Sequence, residues 1–231
     1  MSTYTKIKNF WQRYGLYESI IFELFKFLQR TIHLDRQEVV LLDPSSLRDK
    51  KIALSANYTG GFIDYETLRI QSANDPELEM DEEFLNEAIE KHDLCYAIRN
   101  DEGIISYGWY SQKPTRIKDE LFFYFDEQYV YMYKGLTKPE FRGERLHAIG
   151  MASAMQSPQL RHTKGMVSWV ERPNPASLKS VYRIGYRREG SIYTIKLFGN
   201  YYSYSTPGCK LTSASAMKRV LPEVILNVKV P

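Results

Sequence analysis

Apolar residues recur at three- and four-residue steps through residues 4–32, where Phe10, Tyr14, Tyr17, Ile21, Leu24 and Leu28 share one face with Trp11 and Phe25 beside them. That period predicts a helix, with Gly15 as a candidate break. Leu16, Ile20, Phe22 and Phe27 widen the apolar band so far that something must cover it. Lys6, Lys8, Arg13, Lys26 and Arg30 bias the segment basic, and Glu18 and Glu23 interrupt that bias. A helix on a membrane surface, a helix docked on its own domain and a homodimer contact all stay open; the interruptions favour docking.

Beyond the helix the pattern shortens. Residues 38–42 read as a strand, 43–46 as a Pro/Ser/Asp turn, and 51–72 as short strand-like pieces around Gly60-Gly61. Residues 75–93 are acidic, with a helix over 81–91 turning Phe84, Leu85 and Ile89 inward. Runs at 94–99 and 103–110 flank Asn100-Asp101-Glu102-Gly103, a hairpin signal. Strands follow at 121–125 and 129–136, a helix at 141–155, a strand at 165–170, a helix at 175–184 and a strand at 191–198. Past Pro207-Gly208 the pattern is less regular, with a helix-like piece at 214–220 and an apolar end, 224–230, that would add an edge strand. The order predicts an α+β (mixed α/β) fold: a mixed sheet with two crossover helices over 37–205, a helical extension over 1–36 and a tail over 206–231 that packs on the domain.

Composition changes this picture little. The chain has 231 residues, 43% hydrophobic and 26% charged, with a formal charge of +3. That is globular, and too weakly basic to imply nucleic acid. Two cysteines make no disulfide scaffold, and Cys95, in an apolar run, reads as a buried inert thiol. The N-terminus lacks a signal-peptide pattern and no uncharged run of about 18 residues occurs. A cytoplasmic protein is expected, peripheral at a membrane if the first helix lies there.

The chemistry concentrates after the strand at 129–136. Lys138-Pro139-Glu140 ends it, and Arg142-Gly143 opens the next helix. Free N–H groups and the positive end of the dipole at a helix start suit a phosphate, and glycine lets the backbone approach it. Cationic side chains outnumber acidic ones over 134–190, which suits a polyanionic ligand such as a coenzyme with a diphosphate.

Two blocks here resemble the GNAT superfamily of coenzyme-A-dependent N-acyltransferases. Pro139-Glu140-Phe141-Arg142-Gly143-Glu144-Arg145-Leu146-His147 is similar to the family's phosphate loop, with Arg145 and His147 where the later small residues stand. Val170, Asn174-Pro175-Ala176-Ser177 and Arg183-Ile184-Gly185-Tyr186 are similar to its second block. The resemblance covers residues 94–199 best. The variant turn and Pro207-Gly208-Cys209 look like a divergent bacterial branch linked to surface-polysaccharide or cell-envelope synthesis.

The resemblance implies a mostly antiparallel sheet with helices on both faces, whose fourth and fifth strands (129–136 and 165–170) splay to admit the coenzyme's pantetheine arm. Leu136 and Thr137 would offer backbone to the arm. Arg142, Gly143, Glu144, Arg145, Leu146 and His147 would cradle the diphosphate. Asn174 and Ser177 would touch the arm or open the second helix. It further implies direct transfer from acetyl-CoA, or another acyl-CoA, to the amine of a small molecule or amino sugar, with orientation supplying much of the rate. Glu171 is the first candidate base, and a salt bridge with Arg172 or Arg183 is its alternative role. The position of the family's acid tyrosine is Val181, which leaves Tyr182 and Tyr133 as candidate acids. His147 and His162 read as surface histidines. The aromatic patches at 107–110 and 122–125 and the acidic 75–93 segment are candidate walls for the acceptor, or simply packing. A non-catalytic scaffold module and a transferase using an acyl carrier protein remain alternatives.

Overall fold

The computed structural model describes residues 12, 15–32, 34–47, 53–118, 120–171 and 174–216. Helix α1 (Leu16–Ile32) leads into β1 (Leu34–Leu42), then β2 (Thr59–Ile63), α2 (Tyr65–Asn74) and α3 (Glu82–Lys91). Strands β3 (Leu94–Asn100), β4 (Gly103–Ser111), β5 (Thr115–Lys118), β6 (Leu121–Phe125) and β7 (Tyr129–Thr137) follow. Helix α4 (Leu146–Gln156), β8 (Gly165–Glu171), α5 (Pro175–Ile184), β9 (Arg187–Leu197), β10 (Asn200–Ser205) and β11 (Thr212–Ala216) complete the described chain.

One sheet runs β10-β9-β1-β8-β7-β4-β3-β2, and a small one runs β11-β6-β5. Every pairing in the large sheet is antiparallel except β7 with β8. β1 lies between β8 and β9 and pairs with both. Covered on both faces, its Val39-Val40-Leu41-Leu42 run is fully apolar rather than alternating. β1 begins at Leu34, inside the segment the sequence assigned to an extension.

On one face α4 and α5 pack over Val40, Ile98, Met132 and Met166 with Met151, Leu178 and Val181. On the other, α2 and α3 bury Leu68 and Leu85 against Ala97 and Trp109. The small sheet covers the rest of that face, setting Phe123 against Val39 and Val167.

Several expectations change. Residues 65–74 form a helix, not strand-like pieces: Asp64 caps it by accepting from the Thr67 N–H at 2.8 Å, but only Leu68 of its residues is buried. Residues 212–216 form a strand on β6 where the sequence suggested a helix from 214. Strands β5 and β10 were not foreseen. Residues 4–11 of the first helix, 217–220 and the apolar end 224–230 lie outside the described residues.

Candidate active site

β7 and β8 pair in parallel from Tyr129 opposite Gly165 to Met132 opposite Ser168, and there the ladder ends. Beyond that point β7 stays with β4 as far as Thr137, and β8 stays with β1 as far as Glu171. A bulge stands where they part. Trp109 faces Lys134 and Tyr110 faces Met132, so Tyr133 is an extra residue that bends β7. The bulge sends two successive side chains to the α3 face. The Tyr133 ring centroid lies 6.2 Å from that of Phe84, and Lys134 Nζ lies 4.1 Å from the Phe84 centroid.

The gap belongs to a cleft of about 1270 Å³. On the α4–α5 side Leu146, His147, Met151, Asn174, Ser177 and Val181 line it; on the other, Phe84, Glu87, Lys91, Arg116, Tyr133 and Trp169 do. Leu136, Thr137, Arg142, Gly143, Arg145 and Glu171 also border it. Strand alternation puts Glu171 on the same side of β8 as Trp169. Two named candidates lie elsewhere. Tyr182 is not in the lining, and its hydroxyl donates to Glu38 Oε2 at 2.8 Å. Glu144 is also absent from it and accepts from the Tyr58 hydroxyl at 2.9 Å.

The turn after β7 departs from the expected start of a helix at 141. A 3-10 turn at Pro139–Phe141 comes first, and α4 begins only at Leu146. Arg142 Nε donates to the Thr137 carbonyl at 3.2 Å. Gly143 (φ 101°) and Arg145 (φ 64°) both take left-handed backbone. Arg145 therefore adopts the conformation that a glycine at this place would supply, at a cost of about 1–2 kcal/mol. Among the described residues no side chain caps α4 there, which leaves its first N–H groups to suit an anion. By contrast α5 is capped, with Asn174 Oδ1 accepting from Ser177 N at 3.0 Å.

His147 is not a surface histidine. Its imidazole is set against Gly135 on β7. Burial pushes its pKa down to about 4, with the Tyr107 backbone opposing weakly, so the ring is neutral near pH 7.

Tyr133 borders the cleft, but its proton is committed. The hydroxyl donates at 2.9 Å to Asp93 Oδ2, which also takes Lys91 Nζ at 2.8 Å. Asp93 is 1% exposed. Burial first, and the Asp93 charge second, raise the phenol far above its ordinary range. Such a phenol is a poor acid for a leaving thiolate.

The acidic segment does reach the cleft through Glu79 and Glu87, whereas Tyr107, Tyr110 and Phe123 are buried packing residues. Phe84, Lys91, Arg116, Lys134 and Trp169 also line the cleft, though none is individually a candidate site residue in the sequence. For Trp169 the signal was its place two residues before Glu171 on one strand; for Lys134, its place in the basic excess after the strand.

No protein-family model matches the sequence, and no curated protein matches it closely enough to count as a relative. Among solved structures, a Drosophila protein superposes with a TM-score of 0.50 at 17% identity, over 74% of this chain and 55% of that one. A tandem GNAT protein from the clavulanic acid biosynthesis pathway gives 0.48 at 11%, over 79% and 54%. A GCN5-related N-acetyltransferase-like protein from Streptococcus suis gives 0.47 at 13%, over 73% and 65%. The chain thus spans between about half and two thirds of the length of these structures. At such identities likeness speaks for fold alone, and the chain's own topology carries the rest. What the chain itself shows is a mixed sheet whose parallel pair parts beside a bulged strand, just before the turn into α4.

Proposed function

We propose that the chain transfers an acyl group, acetyl in the simplest case, from coenzyme A to a primary amine of a small molecule or amino sugar by direct attack. The observation that carries this reading is the end of the β7–β8 ladder at Met132 and Ser168, inside a cleft that reaches both faces of the sheet. Backbone at 133–137 offers an unpaired edge on its β8 side, which suits an extended amide-bearing arm in the manner of an added strand. At the end of that edge the uncapped start of α4, with Arg142 and Arg145, suits a diphosphate. When bound, acyl-CoA supplies an activated thioester carbonyl. The chain holds the amine in the half of the cleft walled by Phe84, Tyr133 and Trp169, and Glu171, which borders the cleft, takes its proton, directly or through water. A main-chain N–H of the parted strand is the candidate donor to the carbonyl oxygen. The proposed acid tyrosines are less suited: Tyr182 lies outside the lining and Tyr133 is bound to Asp93, so proton delivery falls to water in this reading.

Calorimetric titration with acetyl-CoA tests the first half of the proposal, and thiol release on addition of a panel of small amines and amino sugars tests the second. Saturable binding with thiol release that falls at least tenfold in Glu171→Gln supports it. No heat at millimolar acetyl-CoA removes it.

A further inference from the structure

Lys134 is a half-buried amine inside the cleft. It grows from β7 immediately after the bulge, one residue from the parted edge's first member. Its Nζ lies over the Phe84 ring and donates to the carbonyl of Glu79, a residue in left-handed backbone (φ 52°). The neighbouring cations are held differently. Lys91 pairs with Asp93 at 2.8 Å, Arg116 with Glu87 at 2.6 Å and Lys118 with Asp35 at 3.2 Å.

That difference has a chemical consequence. An ammonium paired to a carboxylate loses the pair when it deprotonates. An amine resting on a ring and a carbonyl gives up the cation–π attraction on becoming –NH2 but keeps its hydrogen bond, because a carbonyl accepts from a neutral amine as well. Burial lowers the Lys134 pKa, with the charges of Asp81 and Glu79 opposing. The side chain is flexible enough to fold back over the strand edge from which it springs.

We infer that Lys134 is a site of self-acylation, its Nζ attacking the thioester carbonyl of acyl-CoA held along the β7 edge. The inference rests on the transferase reading above. The ammonium first gives one proton to water. The neutral nitrogen then forms the C–N bond, the C–S bond breaks, and the departing thiolate takes the second proton to leave as free coenzyme A thiol. The product amide is uncharged and gives up the cation–π contact with Phe84. It also stands in the acceptor half of the cleft, so self-acylation opposes transfer to an external amine.

The test incubates the whole chain with acetyl-CoA and no added amine, followed by intact mass and peptide mapping, with calorimetry of acetyl-CoA alongside. The expected result is a single acetyl group at Lys134, formed faster as pH rises and absent in Lys134→Arg. Binding of acetyl-CoA with Lys134 left unmodified overturns the inference. So does acetylation spread over surface lysines such as Lys113 and Lys164 at the rate seen in the urea-unfolded chain. Absence of acetyl-CoA binding instead overturns the transferase reading, and the inference falls with it.

Discussion

The imidazole of His147 fills the space that a β-carbon on Gly135 would need. The turn pattern that residues 139–147 resemble has a small residue at position 147. Here the helix carries the large side chain, and the strand opposite carries none.

The pair predicts strong coupling. Gly135→Ala should destabilise by about 1–3 kcal/mol, because the ring has to leave its place. His147→Ala alone removes a packed ring. In the double variant the alanine at 135 meets only the flexible end of Met132, whose Cε lies 2.7 Å from the new β-carbon, so the cost of Gly135→Ala should shrink by about 1 kcal/mol or more. Urea unfolding of the four proteins measures this. Strictly additive costs would show that the two residues do not compete for space.

His147 also predicts an acid sensitivity. Its folded pKa of about 4 lies below the unfolded value of about 6.5, so the unfolded chain binds the proton more readily. Stability therefore falls as pH drops from about 6.5 toward 4, by at most about 3 kcal/mol. His147→Leu should flatten that part of the profile relative to wild type. Parallel profiles over this window would refute the neutral ring packed on Gly135.

Much of this architecture is legible in the sequence because local and tertiary signals agree. Asn100-Asp101-Glu102-Gly103 marks the β3–β4 hairpin, and Pro139 and Asn174-Pro175 mark where β7 ends and α5 starts. The misses are segments whose structure is set by partners distant in the chain. α2 has little apolar stripe to read, since Leu68 alone is buried and Ile70 is exposed. Ala214 and Ala216 suit a helix in isolation, yet pairing with Phe123 and Leu121 makes them strand. The site splits the same way. Arg142 and Asn174 announce themselves by motif. The packing of His147 depends on a glycine on β7, and the binding of the Tyr133 proton depends on Asp93, forty residues earlier by position.

The Lys91–Asp93–Tyr133 cluster predicts a graded loss. Lys91→Met leaves the Asp93 carboxylate buried without its cation and should cost about 3–5 kcal/mol. Tyr133→Phe keeps the ring against Phe84 and removes one hydrogen bond to the same carboxylate, for about 1–3 kcal/mol. Adding Asp93→Asn to Lys91→Met should recover part of the larger loss, because the stranded charge is gone. Denaturant midpoints establish the order; equal costs for the two single variants would contradict it.

Arg145 separates backbone from charge in the proposed phosphate seat. Its left-handed φ of 64° is strained for a residue with a β-carbon, so Arg145→Gly should relieve strain and raise stability by up to about 1 kcal/mol, part of the gain being lost to the freer unfolded chain. The same change removes a cation from the mouth of the cleft and should weaken coenzyme A binding by about tenfold if that cation meets a phosphate. Arg142→Ala should weaken binding too, but without the gain in stability, since Arg142 has ordinary extended backbone and its Nε ties the turn to the Thr137 carbonyl. Melting temperature and calorimetric affinity, read on both variants, test the split. A stabilised Arg145→Gly that binds coenzyme A as tightly as wild type would mean that the arginine points away from the phosphates, with the seat formed by the α4 backbone and Arg142 alone.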